Sequence, residues 1–293
     1  MILPAHAADC HMHVFGPYGR FPLAAERAYN VGEAPLEAHE RMKRRVGLER
    51  TVLVQASGYG YDNRAMLAAL ESLGPRGRAV AVLSQETSLA ELEKLHDAGV
   101  RGVRLNLVTL ASRHPGDRAQ TIAGYERRLA PLGWHLQVYA DAATLHVLEP
   151  VLVRFRAKVV IDHMGLPDAS AGTGQPGFQA VLRLAAAAHV WVKLAGADRI
   201  TRATGRLRDA LPFMQALAAV APERLVWGSD WPHIGFHSGK QVHGDAVLPF
   251  RELEASELLD VLLEAVPDSE TRRAILADNP ARLYGFDSGT RFA

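Results

Sequence analysis

The chain reads as an α/β protein, a (β/α)8 TIM barrel. Three observations predict this. Eight short apolar runs recur along 293 residues, helical stretches separate them, and most of the runs are continuously apolar rather than alternating. A continuous apolar run is the pattern of a strand covered on both faces, as in a parallel sheet. The length suits one barrel of about 250 residues plus insertions, so residues 1–293 are expected to form a single domain.

The predicted strands are 8–14, 51–56, 79–84, 102–107, 135–140, 159–164, 190–195 and 225–230. The predicted helices include 35–47, 62–73, 88–98, 141–156, 178–188 and 206–220. Asp62 and Asp141 are expected N-caps for the second and fourth of these. Gly47, Gly74, Gly99 and Gly133 lie where helices return to strands, as left-handed C-caps. Residues 251–286 read as terminal helices that close the barrel. The long loops 15–34, 165–177 and 231–250 each follow a strand, so all three should rise on the face where a barrel gathers its reactive groups. Within the second, 170–177 is rich in glycine and small residues and reads as a mobile lid.

Composition excludes several classes. With 48% hydrophobic residues the chain can bury a large core. A net charge of +1 offers no field for nucleic acid or a membrane surface. No run approaches 18 consecutive apolar residues, so no membrane span is expected. Cys10 is the single cysteine and residues 1–8 do not read as a signal peptide, so a reducing, cytoplasmic setting is expected. Only five of the 33 basic residues are Lys. The rest are Arg, the side chain that grips a carboxylate with two parallel hydrogen bonds. The barrel exterior has no evident self-complementary patch, so the oligomeric state stays open.

Chemistry concentrates at three strand ends. The first strand closes on Asp9-Cys10-His11-Met12-His13, and residues at i and i+2 of a strand share a face. The sixth closes on Ile161-Asp162-His163 and the eighth on Gly228-Ser229-Asp230. Polar residues closing an apolar strand are costly unless bonded or used. His11, His13, His163 and Asp230 at one mouth of one barrel are therefore the candidate catalytic set. Cys10 points away from His11 and reads as core. Lys193, His233 and His237 are left without assigned roles.

These residues carry a resemblance. The motifs Asp9-Cys10-His11-Met12-His13-Val14-Phe15-Gly16, Arg20-Phe21-Pro22, Val54-Gln55-Ala56-Ser57, Asp62-Asn63-Arg64, Gly102-Val103-Arg104-Leu105-Asn106, Asp162-His163-Met164-Gly165, Trp227-Gly228-Ser229-Asp230-Trp231-Pro232-His233 and Asn279-Pro280-Ala281-Arg282-Leu283-Tyr284 resemble the amidohydrolase superfamily. Within it they are most similar to the branch of 2-pyrone-4,6-dicarboxylate hydrolases and related lactonases. The resemblance implies an amidohydrolase-type barrel and an enzyme of aromatic catabolism that opens a small anionic lactone. It carries substrate contacts onto Arg104, Arg113, Arg199, Tyr139, Ser57 and Tyr29. Arg104, Arg113 and Arg199 also stand where strands pass into loops, where a guanidinium needs an anionic partner. Neighbouring acids are the competing partners for each of them.

Binuclear members of that superfamily carry a Lys or Glu on strand four and a His on strand five. This chain has Arg104 and Asn106, then Tyr139, with His135 at the entering end of its strand. Two metals are therefore not expected, and the resemblance implies none. The alternative is a single Zn²⁺ or Mn²⁺ on His11, His13, His163 and Asp230. The expected reaction has Asp230 activating water, the three histidines donating to the oxyanion, and the Arg residues clamping the substrate. A sugar-acid lactone isomerase, a metal-dependent amidohydrolase or decarboxylase, and a non-enzymatic binding barrel are the alternatives.

Overall fold

The structure, a computed structural model, describes residues 3–108, 118–236 and 246–286. Eight strands form one parallel sheet whose spatial order is the chain order: β1 (Ala8–Met12), β2 (Arg50–Val54), β3 (Gly77–Ala81), β4 (Val100–Asn106), β5 (His135–Tyr139), β6 (Lys158–Ile161), β7 (Val190–Leu194) and β8 (Leu225–Trp227). The last strand returns to the first. Asp230 N–H donates to His11 O at 2.8 Å, His13 N–H donates to Trp231 O at 2.9 Å, and Met12 bridges Trp231 in parallel. The predicted barrel is therefore present, with each predicted strand within a few residues of the observed one.

Helices α1 (Leu36–Val46), α2 (Arg64–Leu73), α3 (Leu89–Asp97), α4 (Arg118–Leu129), α5 (Ala142–Leu152), α6 (Pro176–Ala185), the short α7 (Ala197–Ile200), α8 (Leu211–Val220) and α9 (Ala255–Ala265) surround the strands. Two terminal helices follow, α10 (Ser269–Arg273) and α11 (Asn279–Tyr284). Asp141 caps α5 as expected, accepting from Thr144 N–H at 2.7 Å. Asp62 does not cap α2. The N-cap is Asn63, whose amide turns inward to Val82 while Asp62 ion-pairs with Arg64. Gly47 and Gly133 are left-handed caps; Gly74 has positive φ but an extended ψ of −135°. The segment expected as a lid is a tied turn. The Gln175 amide reaches Asp168 O and Gly172 O, both at 2.7 Å, and Asp168 caps Ser170.

The core has two layers. Outward-facing strand residues such as Leu53, Val103, Val138, Ile161 and Val192 pack against α-helical residues such as Leu70, Leu145, Phe178 and Leu217. Inside the barrel, Ala8, Cys10, Val52, Val80, Val160, Trp191 and Val226 fill the end where the strands enter, and α11 delivers Tyr284 onto them. His135 packs there too, its ring edge-on to Tyr284 with centroids 5.4 Å apart. Gly102 must lack a side chain, because a Cβ would stand 2.5 Å from the His135 ring. No helix among the described residues is long and apolar enough to cross a membrane.

The closing seam between β8 and β1 is held by Asp9. Its carboxylate accepts from His11 N–H (3.1 Å), Ser229 N–H (2.9 Å), Ser229 Oγ (2.6 Å) and His39 Nε2 (2.9 Å), all buried. Asp9→Ala leaves these donors without an acceptor and is expected to lower unfolding free energy by about 3–5 kcal/mol in urea titrations. His135 gives the fold an acid sensitivity. Burial, with Lys193 and Lys158 nearby, drops its pKa to about 3 from 6.5. The unfolded chain takes that proton near its ordinary value and the folded chain does not, so stability falls as pH drops from 6.5 towards 3. Each proton so withheld costs about 1.4 kcal/mol per pH unit. His135→Leu should reduce the slope of unfolding free energy against pH, between about pH 4 and 6, by close to one proton.

Candidate active site

Alternate residues of each strand face the barrel interior. On β4 these are Arg104 and Asn106, paired in register with Gln137 and Tyr139 on β5. Asp162 and His163 follow β6, Lys193 lies on β7, and Asp230 follows β8. All are buried. His163 (φ 50°) and Asp230 (φ 60°) both hold left-handed backbone, a conformation a non-glycine residue keeps only where its surroundings impose it. Gly228 lets β1 approach, since a Cβ there would lie 2.6 Å from His11 Cβ.

The structure brings the predicted catalytic set together. Nε2 of His11, His13 and His163 stand 3.7, 3.7 and 3.9 Å from Asp230 Oδ1. Asp230 Oδ2 is occupied by Arg199 Nε at 2.6 Å. Arg251, arriving from the loop before α9, adds a second cation 3.9 Å from Oδ2 and ion-pairs with Asp198. Burial alone would raise the Asp230 carboxyl, but Arg199, His163 and His13 outweigh it and hold the group well below the ordinary carboxylate range. Burial acts unopposed enough on His163 to lower it to about 4. Burial and Lys193 lower His11 well below its ordinary value. At neutral pH the centre thus holds charged carboxylates and neutral His11 and His163.

Protons can be placed. His13 Nδ1 lies 2.7 Å from Val54 O, and a carbonyl oxygen only accepts. Nδ1 therefore carries the proton, and neutral His13 shows a lone pair at Nε2. Below the histidines lies a charged floor. Asp162 Oδ2 accepts from Arg104 Nε (3.1 Å) and Gln137 Nε2 (2.9 Å). Lys193 Nζ donates to Gln137 Oε1 (2.7 Å) and Cys10 O (2.9 Å). Burial lowers Lys193 to about 8, and Asp162 resists that fall.

A small, polar-lined pocket opens above this floor. It is lined by Tyr29, Ser57, Arg104, Tyr139 and Arg199, the described residues predicted to contact substrate, together with His13, His163, Asp230, Asn106 and Ile234. Tyr29 Oη and Ser57 Oγ are hydrogen-bonded at 3.0 Å, and the Arg104 guanidinium lies over the Tyr139 ring at 4.7 Å. His11 is fully buried behind this surface. Arg199 is bound to Asp230, so its guanidinium holds that carboxylate as well as facing the pocket. Arg113 and His237 lie outside the described residues. His233 is buried, with its N–H on Asp230 O, and does not line the pocket. Sequence reasoning missed Gln137 and Arg251. A polar residue inside the apolar run HLQVYA was a usable signal for the first; for the second there was none, since 251–286 read only as terminal helices.

Two donor groups among the described residues have metal-like spacing: His11, His13 and Asp230, and His11, Asp162 and His163. The first has the spacing for one cation and fits it if His11 carries its lone pair on Nε2. His13 turns its lone pair inward while Nδ1–H rests on a carbonyl, as metal-bound histidines do, and both His11 Nε2 and Asp230 Oδ1 lack a hydrogen-bond partner. The second does not fit. Lys193 Nζ already stands 3.7 Å from Asp162 Oδ1 and 3.5 Å from His11 Nδ1, so a divalent ion there would face an ammonium.

The amidohydrolase family profile matches residues 8–286. The chain is 37% identical to 2-pyrone-4,6-dicarboxylate hydrolase of Comamonas testosteroni, over 96% of this chain and 91% of that protein. It is 35% identical to 4-sulfomuconolactone hydrolase of Rhizobium radiobacter, over 97% of this chain and 91% of that protein. A solved structure from Acinetobacter baumannii, provisionally named a 2-pyrone-4,6-dicarboxylic acid hydrolase and holding citric acid, superposes with a TM-score of 0.77 at 27% identity, covering 96% of this chain and all of that one. Taken with the closed parallel barrel and the histidine and aspartate groups at its mouth, these similarities show that the chain belongs to the amidohydrolase family.

Proposed function

We propose that this chain hydrolyses a small lactone that carries one or more carboxylates. The observation that carries the reading is the division of Asp230: Oδ2 is held by Arg199, while Oδ1 faces a pocket that also contains Arg104. Both relatives described above are named as lactone hydrolases, and the related barrel from Acinetobacter baumannii holds citric acid, a polycarboxylate.

In this mechanism a water lies between Asp230 Oδ1 and His13 Nε2. Its oxygen attacks the lactone carbonyl carbon and its proton passes to Asp230 Oδ1. The oxyanion takes a hydrogen bond from His163, which lines the pocket, while His11 behind it is directed at Asp230 Oδ1. With its Nδ1–H on the Val54 carbonyl, a singly protonated His13 offers this water a lone pair at Nε2 in place of the donor role expected from the sequence. The ring C–O bond breaks, the proton on Asp230 goes to the leaving oxygen, and the ring-opened acid departs. Arg104, with Tyr139 and the Tyr29–Ser57 pair, holds the substrate carboxylate and aligns the ring. The proposed reaction uses these groups alone; a Zn²⁺ or Mn²⁺ held by His11, His13 and Asp230 would add a Lewis acid for the carbonyl.

A screen of carboxylated lactones, with and without chelator and with products identified by NMR, tests the reading. Free ring-opened acid supports it, and an isomerised lactone with no free acid overturns it in favour of an isomerase. With an active lactone, Asp230→Asn should lower kcat by about 10²–10⁴-fold, and near wild-type turnover removes Asp230 as the base. Arg104→Met should raise KM by about 10–100-fold, the loss of one charge-assisted carboxylate contact.

A further inference from the structure

Lys193 takes no part in the mechanism above, yet it is fully buried beneath the centre. An ammonium has three protons to place. Cys10 O (2.9 Å) and Gln137 Oε1 (2.7 Å) take two. The third points to the space between His11 Nδ1, 3.5 Å away, and Asp162 Oδ1, 3.7 Å away. Asp162 Oδ1 also lies 3.4 Å from His11 Nδ1. Two groups of opposite character therefore compete for one ring nitrogen. Asp162 draws a proton onto Nδ1, and Lys193 needs a lone pair there. The two contacts are close in length, 3.4 Å to Asp162 and 3.5 Å to Lys193; the Lys193 contact is aligned as a hydrogen bond, while the Asp162 contact is an ion-pair approach that becomes a hydrogen bond only if Nδ1 carries the proton. Asp162 Oδ2 is already engaged by Arg104 and Gln137, so the carboxylate keeps its position without the imidazole.

We infer that Lys193 fixes His11 as the tautomer protonated on Nε2, making it a hydrogen-bond donor towards Asp230 and the reacting centre instead of a metal ligand. The donor's catalytic use rests on the lactone-hydrolysis reading; the tautomer does not. The two histidines of the His-x-His motif then differ. His13 is protonated on Nδ1 by its carbonyl contact and presents a lone pair, while His11 presents N–H. Lys193 is a positioning residue: it acts through His11 and touches no substrate. Its charge also occupies the approach to His11 and Asp162 that a second cation would need. Without it, Asp162 Oδ1 captures the Nδ1 proton, His11 Nε2 gains a lone pair, and His11, His13 and Asp230 become a three-donor metal site.

The test is ¹⁵N NMR of histidine-labelled protein at neutral pH without substrate, with His11 assigned by loss of its signals in His11→Gln. The wild-type enzyme should show His11 protonated on Nε2, and Lys193→Met should show it protonated on Nδ1. Calorimetric titration with Zn²⁺ should give at least about tenfold tighter binding to Lys193→Met than to wild type, as expected when a cation leaves and a ligand lone pair appears. Nδ1 protonation in the wild type, an unchanged tautomer in the variant, or unchanged zinc affinity would each overturn the inference. If Lys193→Met does not fold, the wild-type spectrum alone decides. Because none of these readings involves turnover, they stand or fall separately from lactone hydrolysis.

Discussion

Asp230 divides its two carboxylate oxygens between a cation and a set of imidazoles, and the mouth of the barrel is arranged around that division. A buried carboxylate costs several kcal/mol in lost hydration, which a close guanidinium offsets only when geometry is good. Arg199 at 2.6 Å meets that condition at Oδ2. Oδ1 is left unsatisfied among three Nε2 atoms. An unsatisfied buried oxygen beside a polar pocket is a poor element of stability and a good acceptor for a proton that arrives with substrate.

The surrounding structure holds that arrangement in place. Asp230 sits in a left-handed conformation between Ser229, fastened to Asp9, and Trp231, whose N–H donates to Ser229 Oγ at 3.0 Å. The Asp9 carboxylate also fixes the His11 backbone, so the residues that carry His11 and Asp230 are anchored to one acid. Beneath them the Arg104–Asp162–Gln137–Lys193 network replaces an apolar layer with alternating charge. Such a network is tolerated because nearly every polar atom in it has a partner, and it keeps the imidazoles above it in fixed orientations.

Much of this was legible in the sequence, for identifiable reasons. Strands covered on both faces read as continuous apolar runs, so the barrel could be seen without structure. His11, His13, His163 and Asp230 stood out because each closes such a run, where a polar group needs a use. Helix α4 did not stand out: its buried stripe is only Ile122, Tyr125 and Leu129 in an otherwise polar stretch. The partner of Arg199 was not legible either. Asp198 is its neighbour in sequence, but the closing of the barrel places Asp230 against it. Asp198 instead meets Arg251, 53 positions later in the chain. The tautomers of His11 and His13 depend on Val54 O and Lys193, distant in sequence, and only the assembled barrel shows them.

The pH dependence of kcat/KM for ring opening of a carboxylated lactone tests the assignment of the base most directly. Arg199 keeps Asp230 ionised well into acid, and burial keeps His11 and His163 neutral there. None of these three should therefore give an acid limb between about pH 5 and pH 7.5, and the profile of His13→Gln should be flat there. In His13→Gln, a limb centred near the ordinary histidine value, about 6.5, would contradict the account, because another imidazole rather than Asp230 would then be the proton acceptor.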